Sequence, residues 1–107
     1  MAEKYKYRRP SNYRKGVRDK TWDAAKDSNG TVRDPLSGKV MDKNQPWHMG
    51  HKPGYEFRKH QQSAAERGIS RKQFLDEHNQ HQHYRPELPK SNQSHLGEDP
   101  SDLYFGP

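Results

Sequence analysis

The sequence predicts a small α+β domain. Three observations lead there: residues Thr31 to Met41 have the make-up of a β-hairpin, two helical stretches follow with their own start and stop signals, and strands do not alternate with helices at the spacing of a parallel crossover sheet. With 107 residues the chain is one domain's worth of sequence. Only 26% of the residues are hydrophobic, so the core is thin and a bound ion or partner would add stability. Two Trp, six Tyr and three Phe argue against disorder in the middle of the chain.

The elements follow in order. The first fifteen residues are basic and tyrosine-rich (Tyr5, Lys6, Tyr7, Arg8, Arg9, Tyr13, Arg14, Lys15), which suits an arm that grips phosphates or drapes over a partner, or an untethered terminus. Residues 1–29 are expected as this partly flexible arm, with a weak strand around Val17 and Trp22, and residues 30–107 as the folded domain. In the hairpin, Val32 and Val40 supply strand propensity while Asp34, Pro35 and Gly38 suit the turn. Trp47 to His51 is a next strand or an extended loop, interrupted by Pro53-Gly54. Tyr55 to Arg67 reads as a helix, and Gly68-Ile69 as its left-handed stop. Ser70-Arg71-Lys72-Gln73 matches a capping box, opening a second helix that carries Phe74 and Leu75 and ends near Asn79. Pro86 and Pro89 divide the remainder into loops, and Ser94 is expected to start a last short helix.

Twenty Lys and Arg against 14 Asp and Glu give a net charge of +6 and a pI near 9.6. Such a balance favours a polyanionic partner through counterion release, and the same surface suits an acidic protein. No cysteine is present, so disulfides and thiolate metal sites are excluded and His, Asp, Glu and Asn remain as side-chain ligands. No long apolar run supports membrane insertion or a secretory signal peptide, although such a chain fits the tip of a longer exported protein.

Seven histidines, six of them between His48 and His83 and the last at His95, stand among Glu56, Glu77, Asn79, Asn92 and Glu98. Hydrolysis of a phosphodiester needs a base to activate water and positive charge to meet the developing phosphorane. His51 is the sharpest candidate base, because it follows Gly50 and precedes the bend at Pro53-Gly54, where backbone and phosphate can approach closely. Glu56, five residues on, is placed to take a metal, orient His51, or favour a helix N-terminus. Glu77 and His81 would share a face only if their helix continued, and a solvated helix end is the preferred reading. His60 is expected to cover surface, whereas Asn92, His95 and Glu98 are spaced by three so that one turn can aim them at one site. No P-loop, Gly-x-Gly-x-x-Gly, Gly-x-Ser-x-Gly or His-Glu-x-x-His pattern occurs, which leaves the enzyme classes built on them without support.

Trp47-His48-Met49-Gly50-His51-Lys52-Pro53-Gly54-Tyr55-Glu56-Phe57-Arg58 resembles the core of the GH-E family, toxin nucleases of the HNH/endonuclease VII superfamily found at the C-termini of bacterial polymorphic toxins. Asp34-Pro35-Leu36-Ser37-Gly38-Lys39-Val40-Met41, Tyr84-Arg85-Pro86-Glu87-Leu88-Pro89 and Ser91-Asn92-Gln93-Ser94-His95 resemble it too, so the likeness spans about residues 30–98. It implies a ββα-metal core in which a hairpin presents the base and the following helix supplies residues facing the metal. By the same likeness His51 is the general base, Asn92 orients it, His95 lies near metal and phosphate, and Glu56 and Glu98 are both candidates for the family's glutamate. The implied catalytic residues are thus His51, Glu56 and Asn92, the implied metal ligands His95, Glu98 and Glu56, and the expected nucleic-acid contacts Lys52, Arg58, Arg85 and Lys90.

Two departures stand out: Gly50 occupies a position where a metal-binding Asp or His often precedes the base, and a helical insertion at about residues 55–79 separates the base from Asn92. Mg²⁺ suits an oxygen-rich phosphate site, while Mn²⁺, Ni²⁺ or Zn²⁺ suits one rich in histidine. The resemblance further implies the C-terminal part of a larger secreted toxin, delivered by a bacterial export system into the cytoplasm of a rival cell, acting on DNA in preference to RNA and neutralised by an acidic immunity protein. The alternatives are an RNA-specific toxin nuclease and a non-catalytic basic module that binds nucleic acid.

Overall fold

The structure is a computed structural model and describes residues 6–107. The first five residues of the expected arm, Tyr5 among them, lie outside the described residues. Where a weak strand was expected, Val17–Ala24 forms a helix, α1. Val17, Thr21 and Trp22 recur at helical rather than strand spacing and bury one face, while the Thr21 hydroxyl bonds back to the Val17 carbonyl at 2.9 Å. The hairpin follows as expected: β1 (Val32–Arg33) pairs antiparallel with β2 (Val40–Met41), Val32 opposite Met41 and Arg33 opposite Val40. Val32 and Met41 point inward and join Trp22 and Trp47 in one core cluster, its two indoles 5.2 Å apart. Arg18 of α1 lies over the Trp47 ring at 3.6 Å and donates to the Trp47 carbonyl at 2.8 Å, tying α1 to the start of the next strand.

That strand, β3 (His48–His51), pairs antiparallel with β4 (Tyr84–Glu87), in the register His48 to Glu87, Met49 to Pro86, Gly50 to Arg85 and His51 to Tyr84. The loop expected around Pro86 is therefore a strand. In a two-stranded ribbon each strand is an edge, so a residue without an N–H is tolerated. Between β3 and β4 come α2 (Phe57–Arg67), α3 (Arg71–His78) and a 3₁₀ turn, His81–His83. Gly68 ends α2 in the left-handed conformation, φ 62°, and the Ser70 side chain caps α3 by accepting from the Gln73 N–H at 3.1 Å. Because α3 stops at His78, Glu77 and His81 do not share a helix face.

A short helix, α4 (Pro89–Ser94), follows β4 directly, with proline at its first turn. Ser94 closes this helix, where it was expected to open one. The buried Asp34 carboxylate accepts from the Leu88 N–H at 2.9 Å and the Ser91 hydroxyl at 2.7 Å, and so pins α4 to the hairpin turn. β3, β4 and α4 together make a ββα unit whose strands are joined through the helical insertion.

A second core cluster joins Ala64, Ile69 and Phe74 to Tyr7, whose hydroxyl donates to the Ile69 carbonyl at 2.6 Å. His60, expected on the surface, is buried: its ring stacks on Phe74 at 4.4 Å and its Nε2 lies 3.0 Å from Glu77 Oε1. The reason is its spacing, three residues after Phe57 and four before Ala64, on the inward stripe of α2. Glu77 also takes a bidentate bond from Arg67 at 2.7 and 2.8 Å, which holds its carboxyl down at about 2, so it serves the core.

Candidate active site

One open pocket of about 420 Å³ lies where β3, β4 and α4 meet the start of α2. It gathers His51, Glu56, Asn92, His95, Glu98 and Arg58 from the residues singled out in the sequence. Lys52, Arg85 and Lys90 are not among its lining. Lys52 and Lys90 are exposed and follow or precede lining residues in the chain, and Arg85 directs its guanidinium to Glu87 at 3.3 Å.

His51 ends β3, where Gly50 and the Pro53-Gly54 bend turn the backbone out of the ribbon. Its ring is packed by Tyr84 at 4.6 Å, Phe57 at 6.4 Å and His78 at 6.5 Å. Burial among these rings, with the positive charge of Arg9 added, pushes its pKa down to about 3 and leaves the imidazole neutral. Neither ring nitrogen has a hydrogen-bond partner among the described residues, so a lone pair is available to accept a proton. His78 is likewise held down to about 4 by burial, and its Nδ1 lies 3.2 Å from the Tyr84 hydroxyl.

Asn92 does not bond to His51. Its amide Nδ2 donates to Nδ1 of His48 at 3.0 Å, because α4 runs past the beginning of β3 rather than its end. His51 is positioned by aromatic packing instead. Glu56 lines the pocket with both oxygens engaged: Oε1 accepts from the Gly54 N–H and pairs with Lys59, each at 3.0 Å, and Oε2 accepts from the Asp99 N–H at 2.7 Å. Burial alone would raise its pKa, but these donors outweigh it and hold the carboxylate charged. His95 caps the end of α4 at φ 59°, a left-handed conformation unusual outside glycine, and its Nδ1 meets the Glu98 carboxylate in an exposed pair.

Glu87 is the carboxylate the sequence reading missed. It is buried, lines the pocket, and has a pKa raised by burial that Arg85 only partly offsets. A Cβ at Gly50 would overlap the Glu87 carboxyl group, so glycine at this strand position makes the room that the carboxylate occupies. The glycine inside a strand pattern was the available signal. Arg9, which also lines the pocket, was legible only as one member of the basic N-terminal run, since its approach to the site depends on how that segment packs.

HNH/endonuclease VII nucleases generally depend on a divalent metal, and the donor set suits one: Glu87, Glu98, His95 and His51 face the same pocket. Among the described residues, no three His, Asp or Glu side chains stand close enough to hold an ion by themselves. Such a pocket fits a cation that keeps several waters and is completed by substrate phosphate oxygens, with one or two carboxylates from the protein.

The sequence model of the GH-E family, described as HNH/ENDO VII superfamily nucleases with conserved GHE residues, matches residues 29–98 of the chain. No solved structure matches it.

Proposed function

The chain belongs to the GH-E family of HNH/endonuclease VII superfamily nucleases, and from that membership we propose that it is a metal-dependent endonuclease in which His51 activates the attacking water. One observation carries this reading: a half-buried, neutral imidazole, its ring nitrogens without a hydrogen-bond partner among the described residues, lines a pocket that also holds Glu87, His95, Glu98 and Arg9. A base with so low a resting pKa is always ready to accept a proton but holds it weakly. The arriving phosphate supplies the correction, because its negative charge offsets Arg9 and raises the proton affinity of His51 as the reaction proceeds.

One or two of Glu87, His95 and Glu98 would hold the ion, with waters and substrate phosphate oxygens completing its shell. Bound there, a divalent cation would draw charge from the phosphate oxygens and stabilise the leaving oxygen. Glu56, saturated by its own donors, shapes the turn behind His51 and is not expected to bind metal. Of the family's conserved Gly, His and Glu, we assign Gly50, His51 and Glu87, since the first makes space for the third. Mg²⁺ is favoured by the carboxylates, and the imidazoles leave Mn²⁺, Ni²⁺ and Zn²⁺ as alternatives. Arg58, which lines the pocket, and the exposed Lys52 and Lys90 are proposed to track the nucleic-acid backbone.

The substrate is proposed to be DNA in preference to RNA, because the wider HNH superfamily mostly cuts DNA; water activation needs no ribose hydroxyl, so the mechanism itself permits either polymer. The likeness to polymorphic-toxin domains supports a role in bacterial competition, with delivery by an export system into a target cell's cytoplasm as part of a larger toxin. The net charge of +6 suits an acidic immunity protein as the neutralising partner. Among the described residues, no helix is long and apolar enough to cross a membrane.

The test is cleavage of plasmid, single-stranded DNA and total RNA by the purified protein, with each ion and with EDTA. Cleavage that EDTA abolishes is expected, with His51→Ala slower by on the order of 10²–10⁴ while still binding nucleic acid. Inertness toward every polymer in every ion would sink the enzymatic reading.

A further inference from the structure

Arg9 lies outside the part of the chain that the family model matches, yet it lines the pocket beside His51. Its guanidinium sits 4.3 Å from the centre of the Phe57 ring and makes no ion pair among the described residues. The pocket's three carboxylates are engaged elsewhere: Glu56 with Lys59, Glu87 with Arg85 and Glu98 with His95. Arg9 thus brings a positive charge that no carboxylate among the described residues neutralises, seated on an aromatic face that limits its movement.

The segment carrying it is also held. Arg71 donates to the carbonyls of Lys6 at 2.9 Å and Arg8 at 2.7 Å, and Gln61 donates to the Tyr7 carbonyl at 2.8 Å. Three successive carbonyls before Arg9 are therefore clamped by α2 and α3, and Tyr7 is sunk in the core. On the far side, the Arg14 N–H bonds to Asn79 Oδ1 at 2.7 Å. An arginine fixed in this way is organised before a ligand arrives, so little ordering cost is left for binding.

Building on the nuclease reading, we propose that Arg9 is a catalytic residue that grips the non-bridging oxygens of the scissile phosphate and stabilises the charge developing on them. The N-terminal segment would then complete the active site, since nothing within residues 29–98 places an unpaired guanidinium there: Arg58 donates to Asp102 at 3.0 Å and to the Ser101 carbonyl at 2.8 Å. The guanidinium fork matches two phosphate oxygens at once, a geometry that a lysine ammonium does not reproduce.

Steady-state cleavage of one defined oligonucleotide duplex tests this with the full chain, comparing wild type, Arg9→Gln, Arg9→Lys and Lys26→Ala. Arg9→Gln should lower kcat by roughly 10²–10³, as for loss of one charge-stabilising donor. Arg9→Lys should recover part of that loss, and Lys26→Ala, which removes one charge outside the pocket, should stay within about twofold of wild type. Duplex binding by anisotropy in a His51→Ala background should weaken far less than kcat falls. Cleavage by Arg9→Gln at the wild-type rate would overturn the assignment and leave the nuclease reading intact. Equal losses in Arg9→Gln and Arg9→Lys, accompanied by lowered melting temperatures, would mark Arg9 as a structural cover for Phe57 and overturn it too. No cleavage by the wild type in any ion would overturn the nuclease reading and this one with it.

Discussion

The carboxyl group of Glu87 lies where a side chain at Gly50 would begin. The two residues face each other diagonally across the β3–β4 ribbon, Gly50 opposite Arg85 and Glu87 opposite His48. Glycine in a strand usually weakens it, and here the missing Cβ gives a buried carboxylate its place beside the candidate base.

Gly50→Ala should therefore act through Glu87. The new methyl pushes the carboxylate away, and cleavage is expected to fall at least about tenfold, as for loss of a contact that binds or supports a metal ion. Glu87→Gln should cost as much or more, and the double variant should be no worse than Glu87→Gln alone. Independent, multiplicative losses in this cycle would show that the two residues do not share one role.

His60→Ala should destabilise the protein without touching its chemistry. The substitution removes a ring stacked on Phe74 and leaves Glu77 short of one donor. A lost buried partner costs about 1–3 kcal/mol, which at this chain length lowers the melting temperature by several degrees. Below the transition, cleavage per folded molecule should match wild type. An unchanged melting temperature would return His60 to the surface.

Stability should fall as the pH drops below about 6.5. In the unfolded chain His51 and His78 take up protons near the ordinary histidine value of about 6.5, but in the fold burial delays this to about 3 and about 4. Between those values the unfolded state binds more protons, so acid favours it. Below pH 4.5 Glu77 adds to the loss, because its folded value, held at about 2 chiefly by Arg67, lies under the ordinary 4.5. The urea midpoint should decline from pH 7 to 5 and again from 5 to 3.5. A flat profile between pH 7 and 5 would mean that both imidazoles are solvated.

Several elements were legible because their cause is local. The Ser70 cap needs only Gln73, the end of α2 needs only a glycine free to adopt positive φ, and the hairpin needs Asp34 and Gly38 within its own turn. α1 was misread as a strand because the burial spacing of Val17, Thr21 and Trp22 becomes meaningful only once Val32, Met41 and Trp47 supply the surface that covers Trp22. β4 was hidden by Pro86, whose missing donor is harmless only in a ribbon paired with residues more than thirty positions earlier.

By itself the sequence determined the α+β class, the hairpin, the helix ends and His51 as the residue to watch, since each rests on backbone geometry or residue chemistry within a few bonds. The tertiary structure alone decided the state of that residue and its company. Tyr84 from β4, His78 from α3 and Phe57 from α2 exclude water from the His51 ring and keep it neutral, while Arg9 arrives from a segment more than forty residues away. Desolvation and Coulomb forces act through space between groups that the chain keeps far apart, so no pattern of neighbouring residues encodes them until the fold brings those groups together.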